Sequence, residues 1–188
     1  MVRYRRNRIA GATYFFTVTL RDRRSDLLVR EIDALRASWR AAARRVPHVV
    51  IAAVVLPDHL YAVIRMTDDT ADYPRLWQEI KKGFTRRTGA PGAPSAWQSR
   101  YWERTVCDEV ELQALVDYVH INPVKHGLVD RVVVWPHSSF HWYVARGELP
   151  VDWAASPEMG GGIRRAVRGR FPGALRLPGL RAYRHQTS

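Results

Sequence analysis

The sequence predicts an α+β fold: an antiparallel sheet with helices packed on one face, followed by a basic tail that lacks a core. Three observations carry this. Stretches with the two-residue alternation of strands succeed stretches of helical spacing in the order β-α-β-β-α-β-α. Two of the strands are separated only by Pro57-Asp58, a hairpin connection. From Met159 onward there are seven Arg and no Asp or Glu, a composition that reads as a flexible basic tail. The division expected is a folded domain over 1–153 and a tail over 154–188.

Taken in order, residues 1 to 11 form a short arm carrying Arg3, Arg5, Arg6 and Arg8. Thr13 to Leu20 is rich in β-branched and aromatic residues, with Tyr14, Phe16, Val18 and Leu20 on one face, and reads as a strand. Ile32, Leu35, Trp39, Ala42, Ala43 and Val46 recur at helical spacing before Pro47. Val49 to Leu56 is apolar almost throughout, as expected of a strand buried on both faces. The return strand, His59 to Met66, puts His59, Tyr61, Val63 and Arg65 on one face and Leu60, Ala62, Ile64 and Met66 on the other. Tyr73, Leu76, Trp77, Ile80 and Phe84 mark a second helix, whose last turns carry Lys81, Lys82, Arg86 and Arg87. Those cations complement the helix dipole as well as any ligand. Trp97 to Val106 mixes aromatics with Arg100 and Arg104, and its second half reads as a strand. Asp108-Glu109 opens a third helix with the buried stripe Leu112, Leu115, Val116 and Val119. Pro123 disrupts or kinks that helix and Gly127 caps it. The first six elements match a ferredoxin-like split βαβ arrangement.

Composition narrows the function. The chain has 188 residues, 46% of them apolar and 26% charged, with Lys plus Arg exceeding Asp plus Glu by 30 to 18 for a net charge of +12. A basic excess of this size, mostly arginine, favours nucleic acid as partner, and part of it serves solubility. The longest apolar run, Val49 to Leu56, is too short to cross a bilayer. The basic N-terminus has no apolar segment behind it of the kind a secretory signal needs, so the cytoplasm is the expected compartment; with a nucleic-acid partner the protein would be nucleoid-associated there. The single cysteine, Cys107, excludes an internal disulfide and a cysteine-based zinc site.

Two segments carry candidate chemistry. In DYVHINPVKHGLV (117–129), Tyr118 and Asn122 lie one helical turn apart, on the shoulder of the buried stripe. In LPDHLYAVIRM (56–66), His59 stands at the start of a strand. A tyrosine, with a free pKa of about 10, becomes a useful nucleophile when a metal activates the phosphate it attacks or a base takes its proton. An imidazole on a strand and an amide oxygen on a helix are suitable ligands. From the residues alone the bland reading is favoured for each: a lone histidine on a strand is more often a hydrogen-bonded core residue, and an aromatic on a helix shoulder is more often packing.

Several blocks taken together resemble a known family. RYRRNRIAGATYFFTVTL, VVLPDHLYAVIRM, IKKGFTRR, WQSRYWERTV, DYVHINPVKHGLV and WPHSSFHWYVARG occur in the order seen in the REP-associated tyrosine transposases, a branch of the HUH single-strand nucleases. The resemblance runs from about Tyr4 to Trp153. It implies an HUH palm and DNA transposition by metal-assisted cleavage and strand transfer on single-stranded hairpin DNA. Tyr118 would be the nucleophile forming a 5′-phosphotyrosine link. His59 and Asn122 would be metal ligands for Mg²⁺ or Mn²⁺. Phosphate contacts are expected from Arg5, Arg6, Lys81, Lys82, Arg86 and Arg87 beside the site, with Arg164, Arg165 and Arg168 of the tail as further candidates. The protein is expected to be a monomer or homodimer without membrane contact.

The chain departs from the family pattern at Tyr61, where the second histidine of the His-hydrophobic-His motif belongs. A neutral phenol is a weaker ligand than imidazole, so metal binding is expected to be weakened. This opens an alternative: a DNA-binding protein of the same fold whose cleavage is weakened or lost. His120 lies too far round the helix to substitute. An RNA-binding domain of ferredoxin-like type fits the sheet and charge but wants a motif of exposed aromatics on the central strands, which is not found.

Overall fold

Alternation of apolar side chains makes β1 (Thr13–Thr19) a strand with two buried faces, and it takes a central place in the sheet. The computed structural model describes residues 9–89, 92 and 94–153. Arg5, Arg6, Arg164, Arg165, Arg168 and the expected tail over 154–188 lie outside the described residues. After β1 come the short helix α1 (Leu27–Arg30), α2 (Ile32–Ala43), the hairpin β2 (His48–Val55) and β3 (His59–Met66), α3 (Tyr73–Thr88), β4 (Trp102–Thr105) and α4 (Glu109–Lys125). A 3₁₀ turn at Val132–Val134 and the short helix α5 (Phe140–Ala145) follow.

The sheet order is β2-β3-β1-β4 and every pairing is antiparallel. β1 and β3 pair from Thr13↔Arg65 to Thr19↔His59, so the two central strands hold one another in register along their whole length. This is the predicted ferredoxin-like arrangement. Tyr14, Phe16, Val18 and Leu20 of β1, with Leu60, Ala62, Ile64 and Met66 of β3, face α2 and α3 in one core. The expectation of helices on one face holds for these two helices and needs extending for the third. α4 packs on the opposite face, where Leu115, Val116 and Val119 meet Phe15, Ala52, Val54, Tyr61 and Val63. The period of two explains this: Phe15 of β1 and Tyr61 and Val63 of β3 point to the second face, beside polar neighbours such as Thr17 and His59, and need a cover of their own.

The aromatic centre of the first core is Phe16, fully buried against Tyr73, Trp77 and Tyr101 at ring separations of 5.3 to 6.0 Å. Phe16→Ala is expected to lower stability by about 3–5 kcal/mol, the range for emptying a buried aromatic site, as measured by urea unfolding. The aromatics after the Gly/Pro loop turn inward as well. Trp97 is buried, and Tyr101 and Trp102 pack against the two opposite cores. These aromatics are therefore engaged in packing, and Arg100 remains exposed beside them.

β2 differs from expectation. It is an edge strand, with a register break between Val50 and Ala52 that leaves Ile51 as the extra residue of a bulge. Ala52 and Val54 are buried, and Val49 is 41% exposed. Its open edge is closed by the segment 135–143, which follows the 3₁₀ turn. Val55 N–H donates to the His137 carbonyl and Ser139 N–H to that of Ala53. The Ala53 N–H donates to Ser139 Oγ, Trp135 Nε1 to the Val55 carbonyl and the Tyr143 hydroxyl to that of Ile51. Covering an edge in this way removes a template for unwanted strand pairing.

α4 begins as its sequence indicates. The Asp108 side chain accepts from Glu111 N at 2.7 Å, while Glu111 returns to accept from Cys107 N and from Arg104 Nε. Pro123 does not end the helix, which runs on to Lys125. Gly127, at φ +67°, supplies the left-handed residue that closes it, with Leu128 N–H donating back to the Pro123 carbonyl.

Candidate active site

The register of β3 fixes the first half of the site. His59 and Tyr61 are two residues apart, so both point from the sheet toward α4, and both are buried. The spacing of α4 fixes the second half. Tyr118, Asn122 and His126 recur every four residues and so lie along one side of the helix. The two halves meet. The ring of Tyr61 is 5.0 Å from that of His59 and 5.5 Å from that of Tyr118, edge-on to both. Tyr61 thus stands between the imidazole and the helix-borne tyrosine. His126, at the C-cap of α4, brings its ring to 5.0 Å from that of His59.

His59 is held from behind. Its Nδ1 bonds Asp58 Oδ1 at 2.7 Å, and Asp58 Oδ2 is 2.9 Å from Arg23 Nε. A carboxylate on one ring nitrogen sets the tautomer that leaves the other free to accept or ligate. His59 Nε2 is buried and has no hydrogen-bond partner. Burial raises the Asp58 carboxyl, but the His59 bond and the nearby positive charges outweigh it and leave the group below its ordinary value.

On the helix side, Asn122 Nδ2 donates to the Tyr118 carbonyl one turn back, which leaves Asn122 Oδ1 buried and without a partner. The Tyr118 phenol is half-buried. Burial raises its pKa, and Tyr61 and Asn122 beside it act in the opposite direction. Lys125 places its ammonium 4.1 Å from the centre of the Tyr118 ring. Tyr61 is pushed well above the usual phenol value, first by burial and then by Tyr118. The two phenols influence one another, yet the Tyr61 hydroxyl lacks the geometry of a hydrogen bond and is left without a partner. His126 is held down to about 4, first by burial and then by His59.

Three buried polar atoms without partners, His59 Nε2, Tyr61 Oη and Asn122 Oδ1, therefore belong to side chains gathered about Tyr118. Buried polar groups are ordinarily satisfied; others are left open elsewhere in the protein, but here the His59 nitrogen and the Asn122 oxygen are both able to ligate and flank one tyrosine. Among the described residues no group of three His, Cys, Asp or Glu is arranged to hold a metal. The donor set fits a divalent ion through one imidazole, backed by its carboxylate, and one amide oxygen. The Tyr61 phenol, neutral at physiological pH, adds little to it.

The other sequence candidates lie elsewhere. Lys81, Lys82, Arg86 and Arg87 are on α3, across the sheet from Tyr118, and not beside the site as expected. Lys81 donates to the Gln98 carbonyl and Arg87 to that of Gly83, while Lys82 and Arg86 are exposed. His120 faces away from the site, with Nε2 at 2.9 Å from Ser139 Oγ and its ring among Phe140, Tyr143 and Trp153. Sequence reasoning passed over Asp58, Arg23, Lys125 and His126. For His126 a signal existed: it repeats the four-residue step from Tyr118 to Asn122.

A four-stranded antiparallel sheet of this order with its helices is the fold of the HUH-type tyrosine transposases. No family model matches the chain. It is 44% identical over 154 residues to the REP-associated tyrosine transposase of Escherichia coli strain K12, a match covering 82% of this chain and 92% of that protein. It is also similar to the solved structure of a REP-associated tyrosine transposase bound to a REP hairpin, at 43% identity and a TM-score of 0.77, covering 83% of this chain and 93% of that one. The chain belongs to the family of REP-associated tyrosine transposases. No helix among the described residues is long and apolar enough to cross a membrane.

Proposed function

We propose that this protein binds single-stranded hairpin DNA, as its structural relative binds a REP hairpin, and cuts and rejoins it through Tyr118. The observation that carries the reading is the half-buried Tyr118 phenol lying among buried donors that have no partner within the protein. Tyr118 Oη attacks the scissile phosphorus and loses its proton. The bond from phosphorus to the 3′-oxygen breaks, that oxygen takes up a proton, and the 5′-phosphate stays on the tyrosine. A second 3′-hydroxyl reverses the step, giving strand transfer. His59 Nε2 and Asn122 Oδ1 would hold Mg²⁺ or Mn²⁺, which when bound neutralises charge on the phosphate. Lys125 packs on the Tyr118 ring, and Asp58 keeps the His59 ring in place. Lys81, Lys82, Arg86 and Arg87, with Arg5 and Arg6, grip phosphates; those on α3 do so away from the reacting one.

The alternative, a hairpin-binding protein with cleavage weakened or lost, is favoured by the neutral Tyr61 phenol in the second ligand position. Both readings predict DNA affinity that falls steeply with salt, by about tenfold or more between 50 and 200 mM if four phosphates are contacted, measurable by fluorescence anisotropy. They separate over a covalent adduct. A labelled hairpin with a single-stranded flank, incubated with Mn²⁺ and run on a denaturing gel, gives a shifted band under the first reading and none under the second.

A further inference from the structure

His126 has no part in the reaction as described so far, yet it is built into the site. It caps α4 one turn beyond Asn122 and two beyond Tyr118, and its ring is half-buried and 5.0 Å from that of His59 at an interplanar angle of 63°. None of the side-chain hydrogen bonds of the described residues uses its ring nitrogens. Two imidazoles bound to one ion, each through a bond of about 2.0–2.1 Å, have ring centres roughly 5 Å apart. The separation of these two rings is compatible with a shared ion. His59 meanwhile turns a buried, partnerless Nε2 away from Asp58.

We propose that His126 supplies the second imidazole that Tyr61 does not, so that a divalent transition ion is held by His59 Nε2, His126 and Asn122 Oδ1. This rests on the reading of a metal site beside Tyr118 and names its ligands. The ligand set spans the two layers of the site: one donor comes from β3 and two from α4, a single turn apart. Metal binding therefore clamps the C-terminal end of α4 to the sheet. An imidazole-rich set also prefers first-row transition ions to Mg²⁺, so Mn²⁺ is expected to bind more tightly than Mg²⁺ in direct competition.

The test is Mn²⁺ binding to the full chain, read from the electron paramagnetic resonance signal of the free ion. His126→Ala and His126→Gln are each expected to weaken binding tenfold or more, as is His59→Ala. His48→Ala, an imidazole on the other face of the sheet, leaves it unchanged. In the wild type, Zn²⁺ as a diamagnetic stand-in is expected to shift the ligating ring ¹⁵N resonances of His59 and His126 together, a readout that needs no variant to fold. Loss of binding in His59→Ala with His126→Gln equal to wild type, or a ligation shift at His59 without one at His126, overturns the role of His126 and leaves the metal site beside Tyr118 standing. No Mn²⁺ binding by the wild type overturns both the His126 assignment and the metal-assisted reading.

Discussion

Tyr118→Phe is expected to abolish the covalent adduct with hairpin DNA, by a factor of a thousand or more, while hairpin affinity changes by less than about threefold. The substitution removes one oxygen, and that oxygen is the group proposed to attack phosphorus. Its ring contacts survive: Phe15 lies edge-on at 6.0 Å, Tyr61 at 5.5 Å, and Lys125 stacks on the ring face. A phenylalanine retains all three. The large effect on chemistry and the small effect on binding and folding are therefore expected in the same variant. A denaturing gel reads the first, anisotropy the second, and a thermal melt excludes a folding defect. A Tyr118→Phe protein that still forms the adduct would place the nucleophile elsewhere.

Tyr61→His is the second change with a large expected effect, and its two consequences have opposite signs. An imidazole in this position faces the same space as His59, because the two residues share a face of β3. Replacing a neutral phenol by an imidazole adds a ligand of the right kind. Mn²⁺ affinity is expected to rise at least tenfold, about 1.4 kcal/mol, and the yield of adduct with it. Stability without metal is expected to fall by about 1–3 kcal/mol. Tyr61 is almost fully buried and packs on Phe15 at 5.8 Å and on Tyr118, and the smaller ring leaves part of that volume unfilled. Calorimetric titration with Mn²⁺ and urea unfolding in a chelator separate the two. A variant with no gain in metal affinity would mean that the position does not reach the ion.

The fold was legible because its signals are periodic. The alternation in β1 and β3 gave the faces that the two cores confirm, and the Pro57-Asp58 connection gave the hairpin. The position of α4 was less legible. A helix with apolar residues tells that it is covered, but not by which face of a sheet whose central strands carry apolar residues on both. The bulge in β2 was hidden for a similar reason, since Val49 to Val55 has no alternation to break. Pro123 is accommodated inside α4: the helical hydrogen bond it cannot donate is offset by the burial of Pro123 itself and of Val119, Ile121 and Asn122 just before it.

In the site, His59, Tyr61, Tyr118 and Asn122 were found from two motifs and fall together in space. Asp58 and Arg23 were not, because a carboxylate behind a histidine looks like an ordinary turn residue until the ring direction is known. The α3 cations were placed on the wrong side. Their clustering is visible in sequence, but the layer they occupy depends on the sheet face that α3 covers.

The measurement closest to the central claim is peptide mapping of the protein after reaction with the hairpin substrate. Digestion with protease and nuclease, followed by mass spectrometry, identifies the residue that carries the nucleotide. The result expected is a single modified peptide with the phosphodeoxynucleotide on the Tyr118 oxygen, formed only with divalent metal and at lower yield when His59 is replaced by alanine. A nucleotide on Tyr61 or any other residue, or a Tyr118 peptide that stays unmodified while cut DNA accumulates, would contradict it.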